Sequence, residues 1–205
     1  MAQLYFYYSA MNAGKSTSLL QNAHNYKERG LAPVLFTAAI DERYGKGRIA
    51  SRIGLASDAE LFDDSTDFVA WVQAHGGRAS IHCILIDEAQ FLTVAQVNQL
   101  AAVVDDLNVP VVCYGLRTDF MGELFPGSAR LLAIADKLSE LKAICHCGRK
   151  ATMTARLSGD GKVQQSGEQV VIGNNDVYVS LCRAHHRAAL AGDHAAAKPA
   201  RIIKE

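Results

Sequence analysis

Short apolar runs recur along the first two thirds of the chain, separated by stretches with helical spacing. Leu4–Tyr8 is apolar and aromatic and predicts a buried strand. Over Lys15–Arg29 the positions Leu19, Leu20, Ala23 and Tyr26 recur at helical spacing, and Gly30 supplies a C-terminal stop. Val34–Ala38 predicts the next strand, and Thr66–His75 a helix with Phe68, Val69 and Val72 on one face. Ile81–Ile86 is nearly all apolar, the pattern of a parallel strand covered on both faces. Thr93 N-caps a helix to Leu107 whose Val94, Val97, Leu100, Ala101 and Val104 face inward. Val109–Tyr114 predicts a strand, Ser128–Ala135 a short helix and Leu138–Ile144 a last strand. This alternation predicts an α/β fold with a parallel sheet.

Two regions break the pattern. Asp41–Asp58 is polar, with Gly45, Gly47, Gly54 and four Arg or Lys side chains, which predicts a long mobile or functional loop. From Cys145 to Arg183 short alternating runs (Ala151–Leu157, Gln169–Ile172, Val177–Leu181) are broken by Gly159, Gly161, Gly167 and Gly173. That predicts a small β module with little core. The alanine-rich stretch 188–205 reads as a flexible tail.

Composition narrows the class. The 205 residues carry 21 Lys+Arg against 21 Asp+Glu, with 49% apolar and 20% charged residues, which excludes a disordered, collagen-like or rod-like chain. Zero net charge argues against holding long nucleic acid by charge alone. The start lacks a basic region and an apolar run, so no signal peptide is read there. No apolar stretch reaches the ~18–20 residues of a membrane span. A soluble, cytoplasmic protein without a membrane or nucleic-acid partner is expected.

Ser9-Ala10-Met11-Asn12-Ala13-Gly14-Lys15-Ser16-Thr17 lies between the first strand and the first helix. It follows the phosphate-loop pattern G-x-x-x-x-G-K-[ST], with Ser9 in place of the first glycine. In such a loop backbone N–H groups and the helix N-terminus hold phosphates, Lys15 reaches the β/γ-phosphates and Ser16 binds Mg²⁺. The bland alternative is a helix start with Ser16 and Thr17 as caps. The strand Ile81–Ile86 runs into Asp87-Glu88, the second signature of a nucleotide site, in which the acid holds Mg²⁺. Glu88 could accept a proton from an attacking hydroxyl or position a water. That leaves a kinase and an ATPase both open.

Five cysteines divide into two sets. Cys83 and Cys113 sit alone in apolar runs and read as core thiols. Cys145 and Cys147 pair with Cys182 and His185 as four ligands for structural zinc, with His146 and His186 as competitors. A glycine-rich module with little core needs such a staple.

Taken together, Ser9–Thr17, Asp87–Phe91, Tyr114–Phe120, Cys145–Arg149 and Val170–Gly173 before Tyr178 and Cys182 resemble the type II thymidine kinases, the enterobacterial-type members above all. The resemblance covers roughly Gln3 to Arg187. It implies a P-loop (RecA-like) parallel-sheet domain over 1–144 and a β-rich zinc-binding lasso domain over 145–187. It implies transfer of the ATP γ-phosphoryl group to the thymidine 5′-hydroxyl, with Glu88 as general base. ATP and Mg²⁺ would be held by Ser9, Ala10, Met11, Asn12, Ala13, Gly14, Lys15 and Ser16. Asp41, Arg43, Asp87 and Gln90 would join them, and the loop through Arg52 would be a lid. Phe120 would stack on thymine between the walls Met11, Leu116 and Phe125. Gln169, Val170, Val171, Ile172 and Gly173 would form the lasso around the base, closed by Tyr178. The resemblance favours His185 over His186 as fourth zinc ligand, and implies a homotetramer inhibited by dTTP. The alternatives are a RecA-like, nucleic-acid-stimulated ATPase with a zinc module and a structural zinc-ribbon adaptor.

Overall fold

In a computed structural model of the chain, residues 1–169 and 177–198 are described. The elements run β1 (Leu4–Ser9), α1 (Lys15–Glu28), β2 (Pro33–Ala38), β3 (Arg48–Ala50), β4 (Ala56–Asp58) and β5 (Glu60–Phe62). They continue with α2 (Phe68–Ala74), α3 (Gly77–Ser80), β6 (Cys83–Ile86), α4 (Val94–Asp105), β7 (Val111–Leu116), α5 (Pro126–Ile134) and β8 (Lys137–Glu140). The last part holds β9 (Ala143–Ile144), β10 (Lys150–Ala151), β11 (Met153–Leu157), β12 (Val177–Leu181) and α6 (Arg183–Leu190). Two compact units result. One comprises Met1–Tyr8, Gly14–Leu116 and Phe125–Glu140; the other comprises Ser9–Ala13, Arg117–Leu124 and the chain from Leu141.

The first unit is built on a six-stranded sheet in the order β5-β2-β6-β7-β1-β8. β2 runs parallel to β5 and β6, β6 to β7, and β1 to β8. All four residues of β6 are buried, which is why its sequence is a continuous apolar run. Val97, Leu100, Val103 and Val104 of α4 join Phe6, Phe36, Ile84, Ile86 and Val111 in one core. α4 starts in a capping box: Thr93 Oγ1 accepts from Gln96 N at 3.2 Å, and Gln96 Oε1 accepts from Thr93 N at 3.0 Å. Gln96 Nε2 also donates to the carbonyls of Asp63 and Thr66, tying down the approach to α2.

Several expected elements differ. Asp41–Asp58 is not loop throughout: β3 and β4 pair antiparallel within it. Only Ile49 in that hairpin is fully buried, so its strands leave no alternating pattern. The edge strand β5 likewise buries Phe62 alone. The expected strand Leu138–Ile144 divides into β8 in the first unit and β9 in the second. β7 extends to Leu116, past the expected Tyr114.

In the second unit β9 pairs with β10 and β11 with β12, both antiparallel. Period-two alternation turns Ala155, Leu157, Val179 and Leu181 into a small core with Ala143, Ala151 and Ala189. The opposite face of the ribbon carries the facing pairs Thr154–Ser180 and Arg156–Tyr178. The alanine-rich stretch begins as the end of α6, with Ala189, Ala196 and Ala197 buried. Among the described residues no helix is long and apolar enough to cross a membrane.

Candidate active site

The phosphate-loop segment leaves β1 at Ser9 and enters α1 at Lys15. Gly14 N-caps the helix at φ 80°, a left-handed conformation that favours glycine although the space around it is open. Asn12 is also left-handed, at φ 62°. Residues 9–13 belong to the second unit. There Met11 N donates to Thr154 Oγ1 at 3.1 Å, and Met11 O accepts from Ser180 Oγ at 2.5 Å. Because Thr154 and Ser180 face each other across β11 and β12, one cross-strand pair grips both backbone groups of Met11. Asn12 Nδ2 adds a 3.2 Å bond to the Tyr178 carbonyl.

In the first unit Lys15, Ser16, Arg43, Asp87, Glu88 and Gln90 are brought together. Ser16 Oγ donates to Asp87 Oδ2 at 2.8 Å. Two neighbouring ligands of an octahedral Mg²⁺, at 2.0–2.1 Å from the ion, lie about 2.9 Å apart, so this oxygen pair fits that cation. Burial, and then the neighbouring Glu88, push the Asp87 carboxyl up to about 7. A bound divalent cation would reverse that shift. Burial lowers the Lys15 ammonium below its ordinary value, while Glu88 and Asp87 act the other way.

Glu88 follows β6 in a left-handed conformation, φ 53°. Its N–H donates to Asp87 Oδ1 at 3.1 Å, and Gln90 Nε2 donates to its Oε2 at 2.5 Å. Arg43 reaches its Oε1. Arg43 also grips Asp41 with two bonds of 2.7 Å, which accounts for its raised pKa. Asp41 and Arg43 therefore join the Glu88 cluster, with Arg43 engaged by two carboxylates. The turn after Glu88 lies hard against α5: a Cβ on Gly127 would stand 2.4 Å from Leu92 O and 3.0 Å from Ala89 O. Leu116 is half-buried at the end of β7, and its carbonyl accepts from Ser128 Oγ at 2.5 Å. Phe125, N-cap of α5, meets Phe91 edge-on with centroids 6.2 Å apart. Phe91 closes the segment Asp87–Phe91, and no role of its own was legible for it in the sequence.

In the second unit Phe120 is buried in the loop 117–124. Its carbonyl accepts from His186 Nε2 at 2.8 Å, and the Arg156 guanidinium lies 3.8 Å from its ring centroid. Gln169 Nε2 donates to Asp119 Oδ2 at 3.1 Å. Val170, Val171, Ile172 and Gly173 lie outside the described residues. Arg156, Asp119, Thr154 and Ser180 were missed from sequence. For Arg156, Thr154 and Ser180 the one available signal was alternation along β11 and β12, which places them opposite the core face, whereas Asp119 lies in the loop 117–124 and had no such pattern.

Cys145, Cys147, Cys182 and His185 bring their ligand atoms within 4.8 Å of one another. Cys145 Sγ and Cys182 Sγ lie 3.3 and 3.6 Å from His185 Nδ1, and Cys147 Sγ lies 4.0 Å from Cys182 Sγ. A tetrahedral Zn²⁺ with Zn–S ≈ 2.3 Å and Zn–N ≈ 2.0–2.1 Å needs S···S of about 3.8 Å and S···N of about 3.5 Å, so the set fits that metal. Cys182 N-caps α6, so the first helical turn carries His185 back beside it. Of the two competitors, His186 is turned to the Phe120 carbonyl, and His146 stacks on His185 with centroids 4.3 Å apart and its Nδ1 3.7 Å from Cys145 Sγ. Cys83 and Cys113 are fully buried core thiols, the former pushed up to about 11 by burial.

A parallel sheet whose first strand feeds a Gly-Lys-Ser helix start, with a buried Asp-Glu pair after β6, defines a P-loop nucleotide-binding α/β protein. The chain belongs to the thymidine kinase family, whose profile matches residues 2–186. It is 60% identical over 190 residues to the thymidine kinase of Yersinia pseudotuberculosis serotype I, covering 93% of this chain and 97% of that one. It is 61% identical over 190 residues to the thymidine kinase of Salmonella paratyphi A, covering 93% of each chain. With the thymidine kinase of Shewanella oneidensis it shares 60% identity over 187 residues, covering 91% of this chain and 97% of that one. Among solved structures, the Pif1 helicase from Candida albicans aligns with 70% of this chain and 36% of its own at a TM-score of 0.42 and 14% identity, too slight a likeness to carry an argument.

Proposed function

We propose that the chain transfers the γ-phosphoryl group of ATP to the 5′-hydroxyl of thymidine, giving dTMP in nucleoside salvage for DNA synthesis. The observation that carries this reading is Glu88, a buried carboxylate held between Gln90 and Arg43 beside Asp87, in a chain of the thymidine kinase family. Phosphoryl transfer needs positioning and charge neutralisation more than covalent chemistry. In this reading the N–H groups of Ser9–Ser16 and the Lys15 ammonium hold the triphosphate. Ser16 and Asp87 hold Mg²⁺, which when bound neutralises charge on the β- and γ-phosphates. Glu88 accepts the 5′-hydroxyl proton at its carboxylate. Arg43, fixed by Asp41, exchanges its bond to Glu88 for the transferring phosphoryl oxygens.

Thymidine is assigned to Phe120, Met11, Leu116, Phe125 and Tyr178 and to the lasso Gln169–Gly173. Cys145, Cys147, Cys182 and His185 hold a structural zinc that fixes the base of that lasso. The P-loop domain is assigned to 1–144, the zinc-binding lasso domain to 145–187 and a tail to 188–205. We further propose a cytoplasmic homotetramer with dTTP as feedback inhibitor. Purified protein given radiolabelled thymidine and ATP tests the reading: dTMP and ADP in equal amounts support it. DNA-stimulated ATP hydrolysis without thymidine phosphorylation would overturn it.

A further inference from the structure

Arg156 is only 2% exposed, the largest of the fully buried side chains among the described residues. A guanidinium taken out of water must be met by hydrogen bonds and polarisable faces. Among the described residues its contacts include two loops of the same unit. Its planar group covers the Phe120 ring at 3.8 Å, in the loop 117–124. Its Nε donates to Gln164 Oε1 and its Nη1 to the Glu168 carbonyl at 3.0 Å, in the segment that leads into 170–176. Gly167 belongs to the same fit: a Cβ there would stand 2.9 Å from Arg156 Nη2.

Two further bonds hold this arrangement. Gln169 donates to Asp119 Oδ2, and Asp119 Oδ1 accepts from Met121 N and Glu123 N at 2.9 Å each. His186 holds the Phe120 carbonyl. Phe120 is thus fixed through its ring, its carbonyl and its preceding residue. A cation stacked on one ring face closes that face to a base.

We infer that Arg156 is the positioning residue of the nucleobase subsite, clamping Phe120 and the approach to the lasso into one unit by stacking on the ring while its fork holds Gln164 and Glu168. The inference rests on the reading that Phe120 stacks on thymine. Lysine would keep the charge but lose the planar stack and the paired donors.

The test measures KM for thymidine and for ATP separately in Arg156→Lys, Phe120→Leu and the double variant, with zinc content and melting temperature followed alongside. Arg156→Lys should raise the thymidine KM about tenfold and move the ATP KM less than about twofold, with zinc content unchanged. In the Phe120→Leu background the same change should cost less than about threefold, because it acts through the ring. A thymidine KM for Arg156→Lys equal to wild type, or an effect that adds in full to that of Phe120→Leu, overturns the inference and leaves the stacking reading standing. A Phe120→Leu variant with unaltered thymidine KM overturns both. If Arg156→Lys does not fold, Gln164→Leu carries the test. It should give a smaller rise confined to thymidine and absent with Phe120→Leu, and no rise overturns the inference.

Discussion

The side-chain amide of Gln90 joins Glu88 to the end of the central sheet. Its Nε2 donates to Glu88 Oε2 at 2.5 Å, and its Oε1 accepts from Leu116 N at 2.9 Å. Gln90 is itself buried, so the direction of the Glu88 carboxylate is set by the backbone of β7 rather than by solvent. Gly115 allows the approach: a Cβ there would stand 3.0 Å from Gln90 N.

Glu88→Gln keeps the hydrogen-bonding outline but cannot accept a proton. Turnover should fall by about 10²–10⁴-fold while thymidine and ATP still bind. Gln90→Leu should lower kcat by about tenfold through misorientation of Glu88, with both KM values nearly unchanged. Steady-state kinetics with each substrate varied in turn check both, and a fully active Glu88→Gln would remove Glu88 from the role of base.

Asp87→Asn removes the charge that would face Mg²⁺ while keeping an oxygen within reach of Ser16. The Mg²⁺ concentration for half-maximal turnover should rise at least about tenfold. Thymidine binding, followed by calorimetry without nucleotide, should be unaltered. An unchanged Mg²⁺ titration would place the cation elsewhere.

His185→Ala should abolish stoichiometric zinc, whereas His186→Asn should retain it, because His186 is committed to the Phe120 carbonyl. Metal analysis of the two purified variants separates them. Chelation of zinc should lower the melting temperature of the second unit, whose small core is half alanine and cannot offset the loss. Zinc lost from His186→Asn and kept in His185→Ala would reverse the ligand assignment.

Gly127→Ala should destabilise the protein by about 1–3 kcal/mol, the usual cost of overpacking against atoms that cannot move aside. The added carbon meets the backbone carbonyls of Leu92 and Ala89, in the turn directly after Glu88. Urea unfolding gives the stability, and kcat should fall with it. Equal stability would mean that the turn yields freely.

What could be read in the sequence depended on how many side chains an element buries. β6 is buried at all four positions and α4 along one face, so both stand out as apolar patterns. β3, β4 and β5 bury one residue or none each and carry no pattern at all. The phosphate loop, Asp87-Glu88 and the Cys/His set were legible because their chemistry demands residue types at fixed spacings. Arg156 was not, since a lone arginine in a short strand reads as a solvated charge. Only the register of β11 on β12, with Tyr178 facing it, reveals that its face is turned inward. That His185 rather than His186 returns to Cys182 likewise follows only from the helix beginning at Arg183.

The grip of Thr154 and Ser180 on Met11 divides the phosphate loop in time as well as in space. Both backbone groups of Met11 are satisfied by protein partners alone. Its amide should therefore exchange slowly with solvent deuterium in the free protein. The amides of residues 13–16, at the entry to α1, should slow further when a triphosphate binds. The loop would then meet its ligand with its first half already latched to the ribbon of β11 and β12.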